Sequence, residues 1–169
     1  MRFSRPLLEA CAAAFAAVLP LERPADAALS TFFRAHPNLG QRDRAVVAES
    51  VYAALRRRRL LERIAATRSP RRLVLATWAT LLGANLRELE AWTRGDESGW
   101  LAAVKREAHA IQPLEIECDL PDWVMERLRS RFDSAALLAA SGPGPVLFSA
   151  GDPGHIARED RDWPLAAAA

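Results

Sequence analysis

The residues able to do chemistry in this chain of 169 are few: two cysteines, three histidines, scattered carboxylates and many arginines. Cys11 and Cys118 lie far apart, with no CxxC and no histidine at ligand spacing, so the pattern offers no zinc set. They read as core thiols of a reducing compartment. His36, His109 and His155 form no HExxH or similar pattern, and each reads as a surface or cap residue. The carboxylate pairs Glu88 with Glu90 and Asp119 with Asp122 are most simply solvated charges or helix caps. No Ser–His–Asp or Cys–His spacing suggests a nucleophile. No glycine-rich strand–turn–helix loop is present, because "GPGP" and "AGDPG" place prolines where a tight helix start is needed. An active site within these residues is therefore not expected, nor a metal or a cofactor held by this chain.

The remaining chemistry is cationic. The stretch "AESVYAALRRRRLLERI", residues 48 to 64, carries four consecutive arginines inside an otherwise helical pattern. Successive residues of a helix turn by about 100°. With Val51 facing the core, Val47, Ala48, Ala54 and Leu55 fall on or near the same face. Arg58 returns to within roughly 20° of Val51 and should lay its stem on apolar neighbours or pair with an acid. Arg59 flanks that face, while Arg56 and Arg57 point away from it and suit phosphates. Arg42 and Arg44 stand at the helix start, where free N–H groups and the helix dipole also favour an anion.

The charge is unevenly distributed. Residues 1–72 hold 14 arginines and 6 acids, net +8, and residues 73–169 hold 9 basic and 15 acidic residues, net −6, which together return the overall +2. Such asymmetry suggests a polyanionic partner for the first half. Arginine bias explains why 22 of the 23 basic residues are Arg, but not why they cluster. Arg42, Arg44, Arg56, Arg57, Arg59, Arg71 and Arg72 are the candidate nucleic-acid-binding residues.

The elements that must position them are all helical. Ala, Leu, Arg and Glu dominate, and no long alternating run suggests a strand. Ser4 before Arg5–Pro6 predicts an N-cap, with a helix to about Val18. Leu7, Leu8, Cys11, Phe15, Val18 and Leu19 recur at helical spacing, and Glu9 interrupts the apolar run, which argues against a signal peptide. Pro24 opens a second helix with Ala28, Leu29, Phe32 and Phe33 on its packing side. A long third helix is predicted from Gln41 to Ala66. A fourth, capped by Ser69 and ended by Gly83, should lie centrally because Leu73 to Leu82 is almost wholly apolar. A short helix over Leu86–Thr93 precedes one capped by Ser98, with Trp100, Leu101 and Val104 inward. "LEIECDLP" reads as an extended linker. A further helix should start at Pro121, with Trp123, Val124 and Leu128 on one face. The Pro/Gly-rich stretch after Ala140 has no periodicity and reads as irregular. No apolar run is long enough for a transmembrane helix.

The stretch "PADAALSTFFRAHPNLGQRDRAVVAESVYAALRRRRLLE", residues 24 to 62, resembles the N-terminal NusB-like domain of bacterial RsmB/NOP-family rRNA (cytosine-5)-methyltransferases. The shared pattern is a helix ending in paired aromatics, a short break, then "RDR…E.VY..LR.RR". "LPDWVMERLRSRF" is similar to the family's linker, and the resemblance spans roughly residues 1 to 138. It implies an all-α, NusB-like helical bundle over residues 1–112 that holds RNA, most naturally rRNA, then a linker with a helix over 113–140. In complete members a separate Rossmann-like domain binds S-adenosylmethionine, and two cysteines act on the target cytosine. Neither Cys11 nor Cys118 sits in a family-like Pro-Cys or Thr-Cys context, so no catalytic residue carries over. Residues 141–169 depart from the family, and the expectation is a truncated or frameshifted gene whose tail is read out of register.

RNA binding by a cytoplasmic domain without catalysis of its own is thus the leading expectation. The alternatives are a protein-interaction module of transcription or ribosome assembly, using the acidic second half, and a remnant without function. Tyr52 is the only aromatic close to the arginines, so sequence-specific base stacking is not expected.

Overall fold

In a computed structural model, which describes residues 3 to 130 together with 132 and 133, every regular element is an α-helix. The chain divides into two compact units, one up to Ala110 and one from Ile111 onward. The irregular tail expected over residues 141–169 lies outside the described residues.

The first unit contains α1 (Arg5–Val18), α2 (Ala25–Ala35), α3 (Gln41–Arg56), α4 (Arg58–Ala65), α5 (Pro70–Thr80), α6 (Leu86–Glu90) and α7 (Glu97–Glu107). Helix α5 is its axis, touching α1, α3, α4, α6 and α7. Seven consecutive α5 residues, Leu73 to Ala79, are buried, which only a helix covered on all sides can achieve. Trp78 is fully buried, with Phe3 at 4.6 Å and Trp92 edge-on at 6.3 Å between ring centroids. Around α5 pack Leu8, Cys11 and Phe15 of α1, Val47 and Val51 of α3, Leu61 of α4, and Leu101 and Val104 of α7, all buried.

Caps follow the sequence logic in part. Ser4 Oγ accepts from the Leu7 amide at 3.4 Å, and Pro6 sits in the first turn of α1. Helix α5 begins at Pro70, with Ser69 at the N-cap position but making no side-chain cap bond, and stops at Thr80 rather than at Gly83, which follows three residues later at φ +70° and lets the chain turn away. His36 is a cap residue: it follows the last turn of α2, with Nδ1 2.8 Å from the Phe32 carbonyl and its ring stacked on Phe32.

Four further expectations for the first unit need correction. The long helix from Gln41 to Ala66 is two helices, broken at Arg57 (φ −121°, ψ 31°). A phase conflict explains the break. In one continuous helix Leu60 and Ile64 would stand more than about 100° from the Val47–Val51–Ala54 face. The break turns α4 so that Leu60, Leu61, Ile64 and Ala65 are all buried. Helix α6 stops at Glu90, three residues early, and the chain leaves it in turns closed by Trp92 N–H on Leu89 O and Thr93 N–H on Glu90 O. Helix α7 starts one residue before Ser98, because Glu97 is drawn inward by a buried ion network; its N-cap position is Asp96. Trp100 is only half-buried, and its Nε1 donates to the Ala65 carbonyl at 3.0 Å, closing the end of α4.

In the second unit the supposedly extended linker contains a helical turn, α8 (Leu114–Glu117), followed by α9 (Asp122–Arg129). Pro113 precedes α8 and the Cys118 amide bonds back to Leu114, which brings Ile116 and Cys118 inward. Cys118, Leu120 and Met125 form the centre, with Leu114, Val124, Leu128 and Phe132 packed against it. Met125 decides the face of α9. Trp123 lies roughly 200° from it around the helix and is 67 % exposed rather than inward.

Candidate nucleic-acid interface

The arginines that read alike in sequence have separate fates. Arg44 belongs to the scaffold: Nε donates to the Leu39 carbonyl at 2.9 Å, an Nη reaches the Phe33 carbonyl at 3.5 Å, and the guanidinium lies 5.7 Å from the Phe33 ring centroid. It closes the open carbonyls after α2. Arg71 is more deeply committed. Its Nη1 donates to Glu9 at 2.7 Å, its Nη2 to the Trp92 carbonyl at 2.6 Å, and its Nε and Nη2 form a fork on Glu97 at 3.3 and 3.2 Å. Four of the five N–H donors of a guanidinium are thereby engaged, and the side chain is 13 % exposed. Arg94 adds a second cation on Glu9 at 2.6 Å, and its amide donates to Glu97 at 2.8 Å. This network ties α1, α5 and the start of α7. It also explains Glu9, whose charge interrupts the apolar run of α1 to meet Arg71.

Arg72, next in sequence, bonds Asp96 at 2.6 Å and lies 5.1 Å from the Trp100 ring centroid, half-buried. Arg58 pairs with Glu62 one turn on at 2.7 Å, one of the two fates its phase predicted. The break at Arg57 has lifted it off the core face that a continuous helix would have given it.

The other predicted arginines, Arg42, Arg56, Arg57 and Arg59, lie along α3 and at its junction with α4. Arg56 is exposed at the end of α3, its guanidinium 5.9 Å from the Tyr52 ring centroid, and Arg42 is exposed in the first turn. Neither belongs to an ion pair among the described residues. Their separation of 14 residues is two heptads, which puts both near one stripe of α3, about 21 Å apart along its axis. Arg57 and Arg59 flank Arg58 at the α3–α4 junction, both half-buried. Arg56, Arg57 and Arg59 thus share the α3–α4 junction as sequence neighbours, Arg42 stands at the far end of α3, and Arg44, Arg71 and Arg72 make contacts within the fold.

A further basic constellation escaped the sequence reading. Arg23 and Arg34 both donate to Thr31 Oγ1, at 3.4 and 3.3 Å, on the exposed side of α2. The three-residue spacing of Thr31 and Arg34 was legible as a helical pair. The fold-back of Arg23 across Pro24 was not.

Both cysteines are free and buried. Burial pushes the Cys11 thiol up to about 12 despite a hydrogen bond with Ser50, which works the other way. Ser50 itself donates to the Val46 carbonyl at 2.7 Å and accepts from Trp78 Nε1 at 2.8 Å. This group satisfies buried polar atoms and holds no reactive thiolate. No three His, Cys, Asp or Glu side chains gather as a metal set among the described residues, and no helix there is long and apolar enough to cross a membrane.

No family model, curated protein or solved structure matches the chain.

Proposed function

We propose that the first unit binds RNA, with ribosomal RNA the first candidate, through phosphate contacts of arginines along α3 and at the α3–α4 junction. The role matches what the resemblance to the N-terminal domain of RsmB/NOP methyltransferases implies: this domain grips, and S-adenosylmethionine and catalysis belong to another. The observation that carries the reading is Arg56, exposed and outside any ion pair among the described residues, on a stretch where residues 48–64 hold five arginines against two glutamates. Exposed guanidiniums present forked donors that fit phosphate oxygens. With one aromatic near them, they favour backbone contact over base readout.

The test is fluorescence anisotropy with ribosomal RNA fragments over a salt series. Affinity should fall steeply with salt. Replacing Arg42 and Arg56 together by Ala should weaken binding about tenfold or more at low salt, with an unchanged melting temperature. Equal affinity of the variant and the wild type would remove these residues from the interface.

A protein-interaction reading has one observation in its favour, on the second unit: Trp123 and Ile111 are large apolar side chains left exposed. It predicts a salt-insensitive protein complex that Trp123→Ala abolishes while RNA affinity stays the same.

A further inference from the structure

We propose that Arg23, Thr31 and Arg34 form a phosphate clamp on α2, and that it takes one phosphodiester of the bound RNA. The second half of this statement rests on the RNA reading above; the clamp itself rests on geometry. Arg23 Nη1 and Arg34 Nη2 converge on the single oxygen of Thr31 at 3.4 and 3.3 Å. That hydroxyl donates its own proton to the Ala27 carbonyl at 3.0 Å. Its one proton and two lone pairs are then all used, and it has no charge with which to offset the two cations it holds.

Two guanidiniums drawn to one neutral oxygen repel each other unless an anion shares the site. Neither belongs to an ion pair among the described residues, and the acids nearest in sequence, Glu22 and Asp26, reach neither. Both arginines and Thr31 are exposed, so an incoming ligand meets no wall. Each guanidinium engages one of its five donors on Thr31, at a length greater than a charge-assisted bond to an oxyanion would have. A phosphate seated between them would replace two long bonds to a neutral acceptor by shorter ones to a charged acceptor. Such contacts position a nucleic acid without reading its sequence.

Two measurements on the full chain separate the clamp from the RNA reading. The first titrates inorganic phosphate at constant ionic strength and follows the Thr31 amide and the arginine Nε–H signals by NMR. A saturable shift of Arg23, Thr31 and Arg34 is expected in the wild type and in the Arg42→Ala/Arg56→Ala variant. It should vanish in Arg23→Gln/Arg34→Gln. Absence of a saturable shift in the wild type overturns the clamp. The second repeats the RNA salt series with Arg23→Gln/Arg34→Gln. The log–log slope should shrink by about 0.7 to 0.9, the loss of one phosphate contact. An unchanged slope beside a positive phosphate titration overturns the assignment of the clamp to RNA. Wild-type protein that takes phosphate but no RNA overturns the RNA reading and leaves the clamp as a site for free phosphate or a phosphomonoester.

Discussion

Arg71 and Arg72 are adjacent, and so are Arg56, Arg57, Arg58 and Arg59, yet the duties of these six residues divide between holding the fold and facing solvent. The difference lies in what each side chain meets. Arg71 meets Glu97, which is 6 % exposed, and Glu9. Removing one partner of such a group leaves a buried charge uncompensated, so Arg71→Ala should cost about 3 kcal/mol or more, read as a lower urea midpoint. Arg56→Ala, by contrast, should stay within about 0.5 kcal/mol of wild type. Cys11 gives a pH signature. Its thiol keeps its proton in the folded state up to about 12, whereas the unfolded chain loses it from 9.0. The native state therefore binds the extra proton between these values. The stability is present in full below pH 9 and falls as pH rises, at up to about 1.4 kcal/mol per pH unit. Cys11→Ala should remove that alkaline slope, as urea unfolding at pH 8 and pH 10 would show. An identical slope in the variant would assign it to other groups.

At the scale of elements, helix ends carry the sharpest expectations. Ala66 closes α4 at φ +47°, a left-handed conformation that costs an L-residue roughly 1 kcal/mol. Ala66→Gly should therefore raise stability by a few tenths to about 1 kcal/mol, and a lowered melting temperature would contradict this account of the cap. Gly83 is the mirror case. A Cβ there would meet nothing within 4 Å, so the cost of Gly83→Ala comes from φ +70° alone, about 1 kcal/mol. The break between α3 and α4 was hidden from the sequence because Ala, Leu and Arg are all good helix formers and no proline or glycine marks it. Only the drift of the apolar stripe after Ala54 hinted at it. The start of α7 was missed for a similar reason: Ser98 looks like a cap, and the buried attraction of Glu97 for Arg71 outweighs it.

Across the whole molecule, 18 of the 23 basic residues lie in the first unit, against 11 of the 21 acids. The proposed RNA interface lies wholly within the unit that ends at Ala110. A chain ending there should keep the wild-type RNA affinity and salt slope, checked by the same anisotropy series. Loss of both in a well-folded fragment would move the interface to the second unit.

The helical class, the central place of α5, the Ser4 cap and the helix start at Pro70 were legible in the sequence, because these follow from local propensity and from apolar periodicity along one segment. The sequence also showed that the first half is basic. Which arginines serve the buried ion network was decided by the fold. Whether a guanidinium meets a carboxylate depends on residues far away in sequence: Glu9 lies 62 positions from Arg71 and 85 from Arg94, and Glu97 lies 26 from Arg71. The same holds for Trp123, whose exposure was settled by Met125 packing against Cys118 and Leu120. Periodicity finds a face, but the partners that cover it are brought there by the fold.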